Sequence, residues 1–223
     1  MLAFMSYQTE DRAVAGRVSQ LLATLGVQAF MAHEHIEVSM QWREEILRQI
    51  GLADLFVPIL SQHYYASIWC TQESGIAAFR RIPVIPLSID SSIPLGALSH
   101  IQSTLIDPNA PTYGNIFPGL ALQHVGFLIS AITQIIARSH NYRDAERNFD
   151  LIVPYLERAT DQQIVELLSV SQRNDQIADA GRCATQHLPP LMASHGHLLE
   201  PQIRTGLQQT LARYQIPPPR AAF

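Results

Sequence analysis

Short apolar runs alternate with stretches of helical periodicity through the first hundred residues, and that order constrains the fold more than any other feature of the chain. "LAFMS", "VQAF", "DLFVPIL" and "IPVIPLSI" read as strands, with "STLI" a weaker fifth. Between the first two, Val14, Val18, Leu21, Leu22 and Leu25 mark one face of a helix that opens near Thr9 and closes at Gly26, a residue able to take a left-handed C-cap. After the second, the polar stretch from Met31 to Ser39 reads as a loop at a strand's carboxyl end, and Ser39 is placed to cap a helix whose Trp42, Ile46, Leu47 and Ile50 share a face. "SIWCTQESGIAAF" opens a further helix. The expected class is α/β: a parallel, flavodoxin-like sheet with helices on both faces and ligands beyond the carboxyl ends of its strands.

Ile116 to Ala137 carries no Lys, Arg, Asp or Glu and is long enough to cross a bilayer. Gln123, His124, Ser130, Thr133 and Gln134 interrupt it, while Leu120, Val125, Leu128, Ile132, Ile135 and Ile136 recur near helical spacing. It is read as a helix packed on the sheet, with no membrane partner. Composition changes after Arg138, where "SHNYRDAERN" is polar, so residues 1–138 are assigned to the α/β domain and 139–223 to a small all-α C-terminal domain. Phe149/Ile152/Val153/Leu156, Ile164/Leu167/Leu168, Ile177/Ala180/Ala184/Leu188 and Ile203/Leu207/Leu211 suggest about four short helices without a fixed internal period, broken by Pro189, Pro190 and Pro201.

A formal charge of -4, with 15 Lys and Arg scattered singly, leaves no footprint for a phosphate backbone, and nucleic acid is excluded as a partner. Cys70 and Cys183 stand far apart, which suits a reducing cytoplasm and suggests neither a zinc knuckle nor a disulfide framework. "MLAFMSYQTEDR" lacks the basic n-region of a signal peptide. His33 and His35, like His195 and His197, have a spacing that a metal site uses, but further ligands are lacking and no metal is expected. Neither G-x-G-x-x-G nor G-x-x-x-x-G-K-[ST] occurs, so a dinucleotide-binding Rossmann cradle and a P-loop are both excluded. A magnesium-holding receiver domain would need an acidic pair where this chain has Ser6 and Tyr7.

The chemistry turns on "SIWCTQE", in which Trp69 and Glu73 stand four apart near a helix start and so share one side. An indole face holds a planar cationic ring, and a carboxylate beside it lies against developing positive charge. NAD⁺ fits that description: its nicotinamide is a pyridinium that leaves as a neutral base, and breaking the ribosyl bond builds the oxocarbenium-like centre that glycosidases stabilise with a carboxylate. Spacing alone leaves open a plainer reading, with Trp69 a core anchor and Glu73 a solvated helix carboxylate. Trp42 with Glu44 and Glu45 makes a second aromatic and acidic cluster, in which the two glutamates also suit ion pairs with Arg43 and Arg48.

"FMSYQTEDRAVAGRVSQLLATLGVQAF", "AHEHIEVSMQWREEI", "FVPILSQHYYASIWCTQESGIA" and "VIPLSID" resemble, in order and spacing over about 100 residues, a bacterial TIR (Toll/interleukin-1 receptor) domain. The resemblance implies that Glu73, in the S-x-W-x-x-x-E segment, is the glutamate essential in NAD⁺-cleaving members, with Trp69 its neighbouring wall. It further implies that Ser6 and Tyr7 border the ribose or nicotinamide pocket and that His33, Glu34, His35, Ile36 and Glu37 form the loop that closes on the ligand, and Trp42 is expected among the substrate-binding residues. The family's loop often has an Asp after the second strand and a Gly near its middle, where this chain has Ala32 and Ser39. The implied function is NAD⁺ glycohydrolysis to nicotinamide and linear or cyclic ADP-ribose, with NAD⁺ a substrate and no cofactor, in antiphage immunity. The implied active form is a cytoplasmic homo-oligomer built through TIR contacts, with the C-terminal helices meeting an effector or sensor protein. The alternatives are a non-catalytic adaptor acting through homotypic contacts and a virulence factor that perturbs a host's TIR signalling.

Overall fold

The structure, a computed structural model, describes residues 1–31 and 42–214, with Trp42 as backbone only. The expected loop from His33 to Glu37 and the Ser39 cap therefore lie outside the described residues. Five parallel strands, β1 (Leu2–Ser6), β2 (Gln28–Met31), β3 (Leu55–Leu60), β4 (Leu87–Ser88) and β5 (Thr104–Leu105), form one sheet in the order β2-β1-β3-β4-β5. This is the flavodoxin-like α/β arrangement, whose order reverses between β1 and β3 and opens a crevice at their carboxyl ends. Every residue of β3 is buried, as a strand covered on both faces requires.

Helix α1 (Arg12–Thr24) follows a 3₁₀ turn over Thr9–Asp11, so the helical region starts where the sequence suggested. It stops in a Schellman motif: Val27 N–H donates to the Leu22 carbonyl at 3.0 Å, Gly26 N–H to Ala23 at 3.0 Å, and Val27 and Leu22 are both buried. Gly26 has φ +76 and open space where a Cβ would stand, so only its backbone conformation is at stake. Gly26→Ala should destabilise the protein by about 1 kcal/mol in urea unfolding, with no change in the denaturant slope.

One face of the sheet is built on three phenylalanines at the same register level, Phe30, Phe4 and Phe56, with ring centroids 5.6 Å (Phe4 to Phe30) and 5.9 Å (Phe4 to Phe56) apart. Helix α2 (Trp42–Leu52) closes over them with Ile46 and Ile50. Leu47, expected on the same face, is exposed instead. After α3 (Gln62–Ala66), α4 (Ile68–Phe79) adds Ala77 to the same cluster.

The run "IPVIPLSI" yields much less strand than expected, and proline is the reason. Phe56 N–H donates to the Pro83 carbonyl and the Phe56 carbonyl accepts from Ile85 N–H, so Phe56 and, two residues on, Pro58 turn their backbone nitrogens toward β4. Pro58 has no N–H to give. The β3/β4 pairing therefore breaks into an isolated bridge at Phe56↔Val84 and a short ladder from Ile59↔Leu87.

Helix α5 (Tyr113–Ala137) is, among the described residues, the one helix long and apolar enough to span a membrane, yet Leu120, Leu128, Ile132 and Ile136 on it are fully buried, as in a core helix. It kinks at His124, where φ is -126 and ψ is 36. By contacts the chain divides there into two compact units, Met1–Gln123 and His124–Phe223.

The second unit is all-helical in its described part: the remainder of α5, α6 (Tyr142–Ile152), α7 (Asp161–Arg173), α8 (Asp175–Ala178), α9 (Leu188–His195) and α10 (Pro201–Ala212). Its prolines open helices where the sequence suggested breaks. Pro201 starts α10, and Pro189 and Pro190 lie in the first turn of α9. Lacking N–H groups for the carbonyls of Thr185 and Gln186, Pro189 and Pro190 coincide with a widened π turn at Cys183–His187, closed by Leu188 N–H on the Cys183 carbonyl.

Candidate active site

Side chains alternate along a strand, so Ser6, two residues past Phe4, emerges at the carboxyl end of β1 on the face that α2 and α4 cover. Ser67 caps α4 by accepting from Cys70 N–H, which fixes the helix start and sets Glu73 in its second turn. The two meet across 67 residues of sequence: Ser6 Oγ donates to Glu73 Oε2 at 2.5 Å. Tyr64, from α3, brings its hydroxyl to 3.0 Å from Ser6 Oγ and 2.8 Å from Ser74 Oγ.

Glu73 is only 5% exposed. Desolvation pushes its carboxyl up from 4.5 to about 7, against the opposing pull of the Ser6 hydrogen bond. Burial also raises the Tyr64 phenol and pushes the Cys70 thiol up to about 11, so both neighbours stay protonated where Glu73 titrates. A carboxyl poised near neutrality in a cleft is a functional-site signature with a physical cause.

That cleft holds about 80 Å³ and is lined by Arg43, Ile46, Leu47, Trp69, Gln72, Glu73 and Ile76. Trp69 and Glu73 thus face one space, as their helical spacing suggested, and the indole is 40% exposed. The described walls enclose far less than the roughly 300–1,000 Å³ of a typical small-molecule site.

A second buried pair ties the crevice loops together. Ser61 Oγ, at the end of β3, donates to the buried Asp11 at 2.5 Å and accepts from Tyr64 N–H at 3.0 Å. Asp90, after β4, accepts from Gln62 N–H at 2.8 Å. Three loops at the carboxyl edge are thereby pinned around α3 and its Tyr64.

Of the residues expected at a site, the structure joins Ser6, Trp69 and Glu73, and places Tyr7 in the core just past β1. Trp42 begins α2, while its side chain and His33, Glu34, His35, Ile36 and Glu37 lie outside the described residues. Glu45 is held by Arg48 at 2.6 Å and Glu44 is exposed. Among the described residues no cluster of His, Cys, Asp or Glu could hold a metal ion. Sequence reasoning missed Tyr64, Ser74, Asp11, Ser61, Arg43 and Gln72. Only the helical step from Trp69 to Gln72 would have signalled any of this set.

No curated protein and no solved structure matches the chain. Residues 3–111 match the family model described as the TIR domain, a span that contains β2 to β5, all of β1 but Leu2, and Ser6, Tyr64, Trp69 and Glu73. With the parallel sheet, its strand order and the match in agreement, this chain carries a TIR domain over residues 3–111.

Proposed function

We propose that the domain cleaves the nicotinamide–ribose bond of NAD⁺. TIR domains include both NAD⁺-cleaving enzymes and non-enzymatic adaptors, and they commonly associate with one another. The observation that favours cleavage is Glu73: a buried carboxyl fixed by Ser6 and lining the same cleft as the Trp69 indole. In this reading the nicotinamide ring lies against Trp69 and the ribose anomeric carbon next to Glu73, whose charge stabilises the oxocarbenium-like centre as neutral nicotinamide departs. Water, or the adenine ring of the same molecule, then takes the anomeric position, giving linear or cyclic ADP-ribose.

The active form we assign is a cytoplasmic homo-oligomer in which one TIR domain meets the next, acting in antiphage immunity through NAD⁺ loss or a signal nucleotide. The helical unit then supplies contacts to a sensor or effector. The adaptor reading, in which the domain acts through homotypic contacts, requires no carboxylate at position 73. The separating experiment incubates NAD⁺ with the full chain, dilute and under crowding, and quantifies nicotinamide. Release that grows faster than protein concentration supports an assembled enzyme. No release under any condition supports the adaptor.

A further inference from the structure

The hydroxyl cluster behind Glu73 has a direction. Ser6 has one hydroxyl proton, and in the ionised site it is donated to Glu73 Oε2, with the oxygens 2.5 Å apart. Ser6 Oγ can then only accept from the Tyr64 hydroxyl 3.0 Å away. Tyr64 likewise has one proton, so its 2.8 Å contact with Ser74 is one in which Ser74 donates. The resulting order is Ser74 to Tyr64 to Ser6 to Glu73, each bond polarising the next toward the carboxylate. The alternative acceptor for Tyr64, the Cys70 carbonyl at 3.2 Å, is the longest of its three contacts.

We propose that Tyr64 is a positioning residue for Glu73 that acts through Ser6, keeping the Ser6 hydroxyl donated to Oε2 so that Oε1 is the oxygen that meets a ligand in the cleft. The role in catalysis rests on the NAD⁺-cleaving reading, while the effect on the carboxyl does not. Among the described residues, the groups that face Glu73 are few: Ser6 from β1, Tyr64 from α3, Cys70 and Ser74 from α4, and Arg43 from α2, which lines the same cleft, with Asp11 lying beyond Cys70. Of these, Arg43 alone brings positive charge, and it lines the same cleft as Glu73 from α2. Removing Tyr64's oxygen weakens Ser6 as a donor. Removing Ser6's oxygen takes the donor away altogether.

The test follows the Glu73 carboxyl by carbon-13 NMR in full-length protein labelled at glutamate Cδ, with Glu73→Gln identifying the signal. Ser6→Ala should raise the midpoint by about one to two pH units and Tyr64→Phe by about half a unit to one, as expected for losing or weakening a hydrogen bond to a charged group. The double variant should titrate like Ser6→Ala alone, because Tyr64 acts only through Ser6. Ser74→Ala, a milder change, should shift the midpoint by a smaller amount in the same direction and serves if Tyr64→Phe does not fold. An unchanged midpoint in both Tyr64→Phe and Ser74→Ala, or a Tyr64→Phe shift that persists without Ser6, overturns the relay. Normal titration with no nicotinamide release at any pH removes the NAD⁺ reading and leaves the relay standing.

Discussion

Glu73→Gln is expected to slow nicotinamide release by about a thousandfold and, in the same protein, to raise stability at pH 8. The rate effect follows from Coulomb's law: a carboxylate about 4 Å from the oxocarbenium centre, at an effective dielectric near 20, contributes about 4 kcal/mol. Glutamine keeps the shape and a hydrogen bond to Ser6 but not the charge. The stability effect follows from burial, which raises the folded carboxyl from 4.5 to about 7. The folded state then binds the proton more tightly than the unfolded chain, so wild-type stability falls as pH rises from 4.5 to about 7 and stays reduced above it. A shift of that size corresponds to a penalty on the order of 3 kcal/mol. Urea unfolding of both proteins should show the variant's advantage at pH 8 and its loss near pH 4.5; an equal difference at the two pH values would point to packing and not to charge.

Phe56→Ala should destabilise the first unit by about 3–5 kcal/mol. Phe56 is fully buried on the central strand and stacks on Phe4, with Ile46, Ile50 and Ala77 closing over them. Removing the ring leaves a cavity between the sheet and the two helices that carry the cleft, and the loss rivals the 5–15 kcal/mol by which typical domains are stable. Phe56→Leu, which keeps more of the volume, should cost less than half as much. Phe79→Ala at an 89% exposed position should fall within about 0.5 kcal/mol of wild type. If Phe56→Ala and Phe79→Ala unfold at the same urea concentration, this picture of the core is wrong.

The contrast between those two phenylalanines shows what the sequence carried. Apolar runs marked β1, β2 and β3 because a doubly covered sheet needs continuous hydrophobic strands, and Val14, Val18 and Leu22 are buried on α1 as their spacing implied. Strand length was less legible: Pro58 and Pro83 look like ordinary members of apolar runs, and only the direction of the Phe56 backbone groups shows why the β3/β4 ladder is interrupted. Local spacing placed Trp69 beside Glu73, but the partners that set the carboxyl's chemistry lie far off in sequence, Ser6 by 67 residues and, for Ser61, Asp11 by 50. Periodicity has no term for such meetings. The kink at His124 was equally hidden, since no proline or glycine stands at that position.

The central claim, that the Glu73 carboxylate drives cleavage of NAD⁺, is met most directly by the pH dependence of kcat/KM for nicotinamide release, with products identified by mass spectrometry. That parameter reports ionisation in the free enzyme, so it should rise about tenfold per pH unit up to about 7, where the carboxyl loses its proton, and level off above. In kcat the same inflection should lie lower, because a bound pyridinium favours the charged carboxylate. Nicotinamide release that is flat from pH 5 to pH 9, or that persists undiminished in Glu73→Gln, would contradict the account.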